Sequence, residues 1–114
     1  MREIQVGEKT MRVRATPLAL LFYKQEFKSD LLAELMNMQK LQTDPAAFDS
    51  VAMLQITWAL NKANEPLQNS FPGFESWLSE LDSFDFSDNA LMTAILDEAQ
   101  DGFFRGAAAA GAKG

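Results

Sequence analysis

The chain has 114 residues, a net charge of −6, 47% hydrophobic residues, and neither cysteine nor histidine. Histidine is the usual proton shuttle at neutral pH and cysteine the most reactive nucleophile, so their absence excludes the commonest catalytic centres and most zinc sites. Disulfides are excluded as well, so stability must come from the one modest core that a chain of this length can bury. The composition favours a protein that binds over one that catalyses.

Charge is distributed unevenly along the chain. Nine acids and no bases lie between residues 65 and 101, whereas residues 1–40 hold seven bases and five acids. An acidic chain without a basic patch is a poor ligand for a phosphate backbone, so we expect no nucleic-acid partner. The basic front of one subunit could meet the acidic back of the next in a homo-oligomer. The alternative is that the acids solvate an exposed helical face.

Apolar and polar residues alternate with a period of two between residues 3 and 15, which predicts an N-terminal β-hairpin. Gly7 can supply the positive φ that a tight turn needs. A lone hairpin is marginal in water, so this one must pack on helices or pair through its edge with another chain. The residues expected to point away from the apolar face are Thr10, Arg12 and Arg14.

The patterns that follow are helical. Thr16-Pro17 predicts a helix from about Pro17 to Phe27, because threonine is a good N-cap and proline suits the first turn. Ser29 or Asp30 can cap a second helix, unless the two form one bent helix. Asp44-Pro45 is a second pair of cap residue and proline, and it precedes a helix that is expected to end near residue 64. That helix is apolar almost all round and is therefore expected to be central.

Two more helices are predicted beyond the Pro/Gly break at residues 66–73. The first presents apolar residues at i, i+3, i+4 and i+7, namely Phe74, Trp77, Leu78 and Leu81. The second, capped by Ser87 or Asp88, is expected to bury Met92, Ile95, Leu96 and Ala99 and to leave Asp97, Glu98 and Asp101 exposed.

The predicted fold class is mainly α, a small bundle of about four to five helices with an N-terminal β-hairpin at about residues 3–15. We expect a single domain over residues 1–105 and a flexible Ala/Gly-rich tail over residues 106–114. No segment reaches the roughly 20 apolar residues of a membrane helix, and residues 1–14 lack the apolar core of a signal peptide. A soluble, intracellular protein with no membrane partner is expected.

No residue set predicts a catalytic, cofactor or metal site. Asp82, Asp85 and Asp88 are spaced by three and lack the glycine and closing glutamate of a calcium loop. They also lie in a polar loop, where no carboxylate would be desolvated enough for acid catalysis. We therefore expect neither a metal nor an enzyme.

Two methionines and two arginines are candidates for protein contacts. Flexible thioethers line adaptable binding grooves as well as filling cores. Met36 and Met38 point in different directions on a helix, so one is expected to be exposed and to contact a partner. Arg12 and Arg14 are candidates for self-association, through the acids of a neighbouring subunit.

The chain also carries an ordered series of features that together resemble a known family. They are a hairpin ending in Met11-Arg12-Val13-Arg14, Thr16-Pro17 opening a helix with Glu26-Phe27 and a following Asp30, Trp58-Ala59 in a buried helix, and Phe74-Glu75-Ser76-Trp77-Leu78-Ser79-Glu80-Leu81. In this order, across roughly residues 1–101, they resemble the tail assembly chaperones of long-tailed bacteriophages and related prophages.

The resemblance implies a non-catalytic protein of the host cytoplasm that is absent from the mature virion. It would coat the tape measure protein, keep it soluble, and leave as tail tube subunits polymerise. It implies no cofactor, and partners limited to the tape measure protein, the tail tube protein and further copies of the chain. The rival interpretation of the same acidity is a small regulator that inhibits a basic host protein, with binding that falls steeply with salt.

Overall fold

The computed structural model describes residues 1–38, 50–66 and 70–113, and for Met38 and residues 105–113 it describes the backbone alone. In this part of the chain a two-stranded antiparallel sheet precedes five helices, which confirms the mainly α fold with an N-terminal hairpin. The elements are β1 (Arg2–Val6), β2 (Lys9–Val13), α1 (Pro17–Phe27), α2 (Leu31–Met38), α3 (Ser50–Asn64), α4 (Phe74–Ser79) and α5 (Asn89–Lys113).

The hairpin is closed by a two-residue turn and packs on helices. Val6 pairs with Lys9, so Gly7 and Glu8 form the turn. The φ of Gly7 is 61° and that of Glu8 is not positive, so the turn is of type II′. Ile4, Val6 and Val13 are buried at 4%, 1% and 0% exposure. β1 packs on α5 and β2 on α3, so the hairpin is stabilised within the chain.

A left-handed residue separates α1 from α2. Lys28 has φ 57°, and its N–H donates to the Lys24 carbonyl over 2.9 Å, which ends α1. Asp30 Oδ1 then accepts the Leu32 N–H over 3.0 Å and caps α2. The two segments are therefore separate helices rather than one bent helix. At the start of α1, the hydroxyl of Thr16 makes no capping bond and is buried without a partner among the described residues.

α3 is the central helix, as its apolar circumference predicts. It packs on α1, α4 and β2. The rings of Phe27, Trp58 and Phe74 meet edge to face at its side, with the Phe27 centroid 5.4 Å from Trp58 and 5.0 Å from Phe74. The start that we predicted at Asp44-Pro45 lies outside the described residues. Its buried residues are Ala52, Met53, Ile56, Thr57, Trp58, Ala59, Leu60, Asn61 and Ala63.

The last two helices complete the core. In α4, Phe74 and Trp77 are buried, and the Phe74 N–H at its start donates to Glu26 Oε2 on α1 over 3.0 Å. α5 is capped by Asp88, whose Oδ1 accepts the Leu91 N–H over 3.1 Å, and it buries Ile95 and Ala99. Its backbone is helical to Lys113, so it includes residues 106–113 of the expected tail. The flexibility of that segment stays a prediction.

Ile95 and Ala99 are buried as expected, Met92 and Leu96 are only half-buried against the core, and one further expectation for α5 is wrong. Asp97 and Asp101 are exposed as expected, but Glu98 is only 5% exposed. Glu98 lies on the face of α5 that β1 covers, where its carboxylate contacts the Arg2 guanidinium and the Ala15 N–H. The partners of Glu98 are distant in the chain, so the residues next to it do not identify them.

Gly102 is a position where alanine is expected to destabilise a helix. A Cβ there would collide with the carbonyl oxygen and the Cβ of Ala15. Glycine to alanine in an exposed helix normally stabilises by about 1 kcal/mol, whereas overpacking against backbone costs about 1–3 kcal/mol. We expect Gly102→Ala to lower the free energy of unfolding in urea by about 1–2 kcal/mol. Gln100→Ala, at an exposed site on the same helix, is the control; a gain for both variants would contradict the close approach.

Candidate protein-binding surface

The outer face of β2 and of the residue after it carries the two arginines that the sequence singles out. Arg12 Nε lies 3.4 Å from Glu3 Oε2 on β1, and both side chains are more than half exposed. Arg14 is also exposed, and in the described part of the chain its side chain has no ion pair or hydrogen bond. The two residues therefore share a face, but Arg14 is the cation left without a counter-charge.

The outer edge of β2 is partly used within the chain. The Arg14 N–H donates to the Leu60 carbonyl over 3.0 Å, and the Arg12 carbonyl accepts Asn61 Nδ2 over 2.9 Å. The register points the N–H and C=O of Thr10 outward as well, and these find no partner among the described residues. The edge, which is a candidate for pairing with another chain, is thus blocked at its end and open near the turn.

A polar cleft of about 700 Å³ lies between β2, the end of α3 and α4. Beneath it, Asn61 Oδ1 accepts the indole N–H of Trp77 over 3.0 Å, so one buried amide connects α4, α3 and the hairpin. Lys9 Nζ and Glu80 Oε2, on opposite walls, are 3.7 Å apart. Its lining includes charges of both signs, which are Glu3, Lys9, Arg12, Glu65 and Glu80.

An apolar groove of about 550 Å³ lies at the start of α1. Its floor is formed by Pro17, Leu18 and Leu21 together with Ala63 near the end of α3, and Arg14 and Thr16 border it. Leu21 is 49% exposed there, although it is a large aliphatic residue. The groove is contiguous, and the cation at its border has no counter-charge within the described ranges, unlike the isolated apolar side chains found on every protein surface.

The methionine candidates lie on α2. Met36 is 60% exposed, as expected of one of the two, and the side chain of Met38 lies outside the described residues. The arginine and methionine candidates are therefore on two different elements, β2 with its extension and α2. Their roles in partner binding and self-association stay predictions.

Sequence reasoning missed the buried polar residues that hold this surface in place. Glu98 accepts Arg2 Nη1 over 3.3 Å and the Ala15 N–H over 3.1 Å, and the Met1 amine lies 3.3 Å from it. Asn61 is 8% exposed and bonded on both sides of its amide. Glu98 lies three positions after the buried Ile95, and Asn61 three positions after the buried Trp58; a polar residue at such a position is the one signal that could have identified them.

The acidic segment between α4 and α5 is a turn followed by a cap. The hydroxyl and backbone N–H of Ser87 both donate to Asp85 Oδ1, and these bonds lower the pKa of the Asp85 carboxyl. A lowered pKa keeps the carboxylate charged, and the small stabilisation it gives is lost as the pH falls through that pKa. Asp88 caps α5. No group of three or more acids in the described residues is placed to hold a metal ion.

Comparisons of the chain with protein-family models, with curated proteins and with solved structures find no match. Among the described residues, no helix is both long and apolar enough to cross a membrane. An apolar groove with a cation at its border can bind a protein segment that carries apolar and acidic side chains.

Proposed function

We propose that this chain is a non-catalytic tail assembly chaperone that binds the tape measure protein and keeps it soluble in the host cytoplasm before the tail tube forms. The observation that carries the proposal is the apolar groove at the start of α1, with Leu21 half exposed on its floor. A chaperone for an extended, aggregation-prone client needs open apolar surface on a stably folded domain. Met36 on α2 adds a second exposed apolar side chain.

The use of the buried charge supports a binding role over a catalytic one. Glu98 is the buried acid among the described residues, and its two oxygens already face Arg2 and the Ala15 N–H. A general acid or base needs a carboxyl that is free to exchange a proton with a substrate. Glu98 instead ties the hairpin to α5, so we assign it to the scaffold.

Self-association is part of the proposal. Arg12 and Arg14 are exposed cations on the hairpin side of the domain, and Asp82, Asp85 and Asp88 are exposed acids in the segment before α5. Contacts between these two surfaces in successive copies would arrange several copies of the chaperone along one client molecule. Recruitment of tail tube subunits would follow at the client, which is where the tube polymerises.

Co-expression with a tape measure protein sought in the gene neighbourhood of this chain tests the proposal. We expect the client to stay in the soluble fraction and to co-elute with the chain in size exclusion. Leu21→Asp should return the client to the pellet, because a charge on the groove floor opposes apolar contact. Gln25→Asp, at an exposed site one turn further along α1, is the matched control and should keep the client soluble.

Circular dichroism of both variants shows whether they fold. A client that is insoluble with the folded wild-type chain, or equally soluble with the two variants, would contradict the proposal. Binding to a basic protein that disappears between low and physiological salt would instead favour the acidic regulator.

A further inference from the structure

We propose that the groove at the start of α1 binds an amphipathic helix whose apolar stripe is flanked by a carboxylate, and that Arg14 pairs with this carboxylate. The inference deepens the proposed function and rests on it, because the client would supply the helix. It adds the secondary structure and the charge of the bound segment, and the residue that selects them.

The groove offers apolar side chains and few free backbone groups. Pro17 has no N–H, and the Ala19 N–H is already bonded to the Thr16 carbonyl over 2.9 Å. An extended peptide needs main-chain partners, whereas a helix satisfies its own backbone and presents side chains at i, i+3 and i+4. The side chains of Leu18, Leu21 and Ala63 form the floor that such a stripe would contact.

The charges around the groove favour an acidic side chain. Arg14 borders it without a counter-ion in the described part of the chain. The neighbouring cation on α3, Lys62, is held over two rings, with Nζ 4.5 Å from the Phe22 centroid and 5.1 Å from that of Trp58. α1 has no acid in its first turn, so the partial positive charge at its N-terminus is not neutralised there.

The net charge of the molecule does not oppose this choice. The overall charge is −6, but at physiological ionic strength the field of an exposed charge is screened within about 8 Å. A helix seated in the groove therefore responds mainly to Arg14. Glu98, the carboxylate that contacts Ala15, is buried and paired with Arg2.

Arg12 is the matched control for Arg14. It lies two residues earlier on the same exposed face of β2, with its guanidinium beside Glu3, and it lines the polar cleft rather than the groove. The same charge reversal at the two positions changes the total charge equally, and at Arg12 it also removes the exposed ion pair with Glu3.

The test uses the full chain and three fluorescein-labelled synthetic peptides of about 20 residues, measured by fluorescence anisotropy. The first has a leucine stripe flanked by glutamates, the second has lysines in place of the glutamates, and the third is the first with two central prolines. We expect the acidic helix to bind at least tenfold more tightly than the basic one. The proline peptide, which cannot form the helix, should lose at least tenfold in affinity.

Charge reversal locates the site. Arg14→Glu should abolish or invert the preference between the acidic and basic peptides, while Arg12→Glu should preserve it. Equal affinity for the two peptides, or equal effects of the two variants, would overturn the inference. Undiminished binding of the proline peptide would overturn it too and would favour strand addition at the open edge near Thr10. If the acidic peptide competes with self-association of the chain, and Arg14→Glu abolishes that self-association, the groove binds a second copy of the chain instead.

Failure of this inference can be distinguished from failure of the proposed function. Client solubility on co-expression is measured with the same Arg14→Glu variant. If the wild-type chain and Arg14→Glu solubilise the client equally, the function stands and the assigned role of Arg14 falls. If the client stays insoluble with the wild-type chain while the peptides discriminate as expected, the groove stands and the chaperone proposal falls.

Discussion

Glu98→Ala is expected to lower the free energy of unfolding by about 2–3 kcal/mol. The carboxylate accepts Arg2 Nη1 and the buried Ala15 N–H, at 3.3 and 3.1 Å. A buried donor left without a partner costs about 1–3 kcal/mol, and the lost charge pair adds to this. Arg2 is 32% exposed and keeps Asp101 at 2.7 Å, which limits the loss on its side. Urea denaturation followed by circular dichroism measures the change.

Two variants separate the contributions to this effect. Glu98→Gln keeps an acceptor for the Ala15 N–H and removes the charge, so it should cost less than Glu98→Ala. Asp97→Ala, at the exposed neighbouring position, should change the free energy of unfolding by no more than about 0.5 kcal/mol. Equal effects of Glu98→Ala and Asp97→Ala would mean that the carboxylate does not join β1 to α5.

Asn61→Ala is expected to cost about 2–3 kcal/mol and to change the environment of a tryptophan. Its amide donates to the Arg12 carbonyl over 2.9 Å and accepts the Trp77 indole N–H over 3.0 Å. Removing the amide leaves the buried indole N–H unpaired and removes the hydrogen bond between α3 and the Arg12 carbonyl. Urea unfolding measures the cost, and a red shift of the folded-state fluorescence reports water reaching Trp77.

Asn64→Ala is the control for Asn61→Ala. Asn64 lies three residues further along α3 and is half-buried at the same cleft. Its substitution should change the free energy of unfolding by no more than about 0.5 kcal/mol and leave the fluorescence maximum in place. The same loss and the same shift for both variants would show that the Asn61 amide is not the connection between α4 and the hairpin.

Local signals were enough to predict most of the elements. Thr16-Pro17 marks the start of α1, and its predicted end at Phe27 is the observed one because a left-handed Lys28 follows. The positive φ of Gly7 follows from its place between two alternating runs. Helix ends and turns depend on residues next to one another in the chain, so one sequence identifies most of them, although the Thr16 hydroxyl does not make the capping bond expected of it.

The candidate surface was predicted only in part. Arg12 and Arg14 were expected to be exposed because they alternate with Met11 and Val13. The groove was not predicted, since its floor combines the first turns of α1 with Ala63, more than 40 positions away. The buried state of Glu98 was missed for the same reason, because its partners are at the other end of the chain.

In the proposed function, a client protein binds the apolar groove rather than the acidic segment. Methyl NMR spectra of the chain, alone and in the co-expressed complex with the tape measure protein, distinguish the two surfaces. The methyl resonances of Leu18, Leu21 and Ala63 are expected to shift on binding, while that of Ala90, beside the acidic turn, stays in place. Shifts confined to Ala90, with the groove methyls unchanged, would show that the client does not bind the groove.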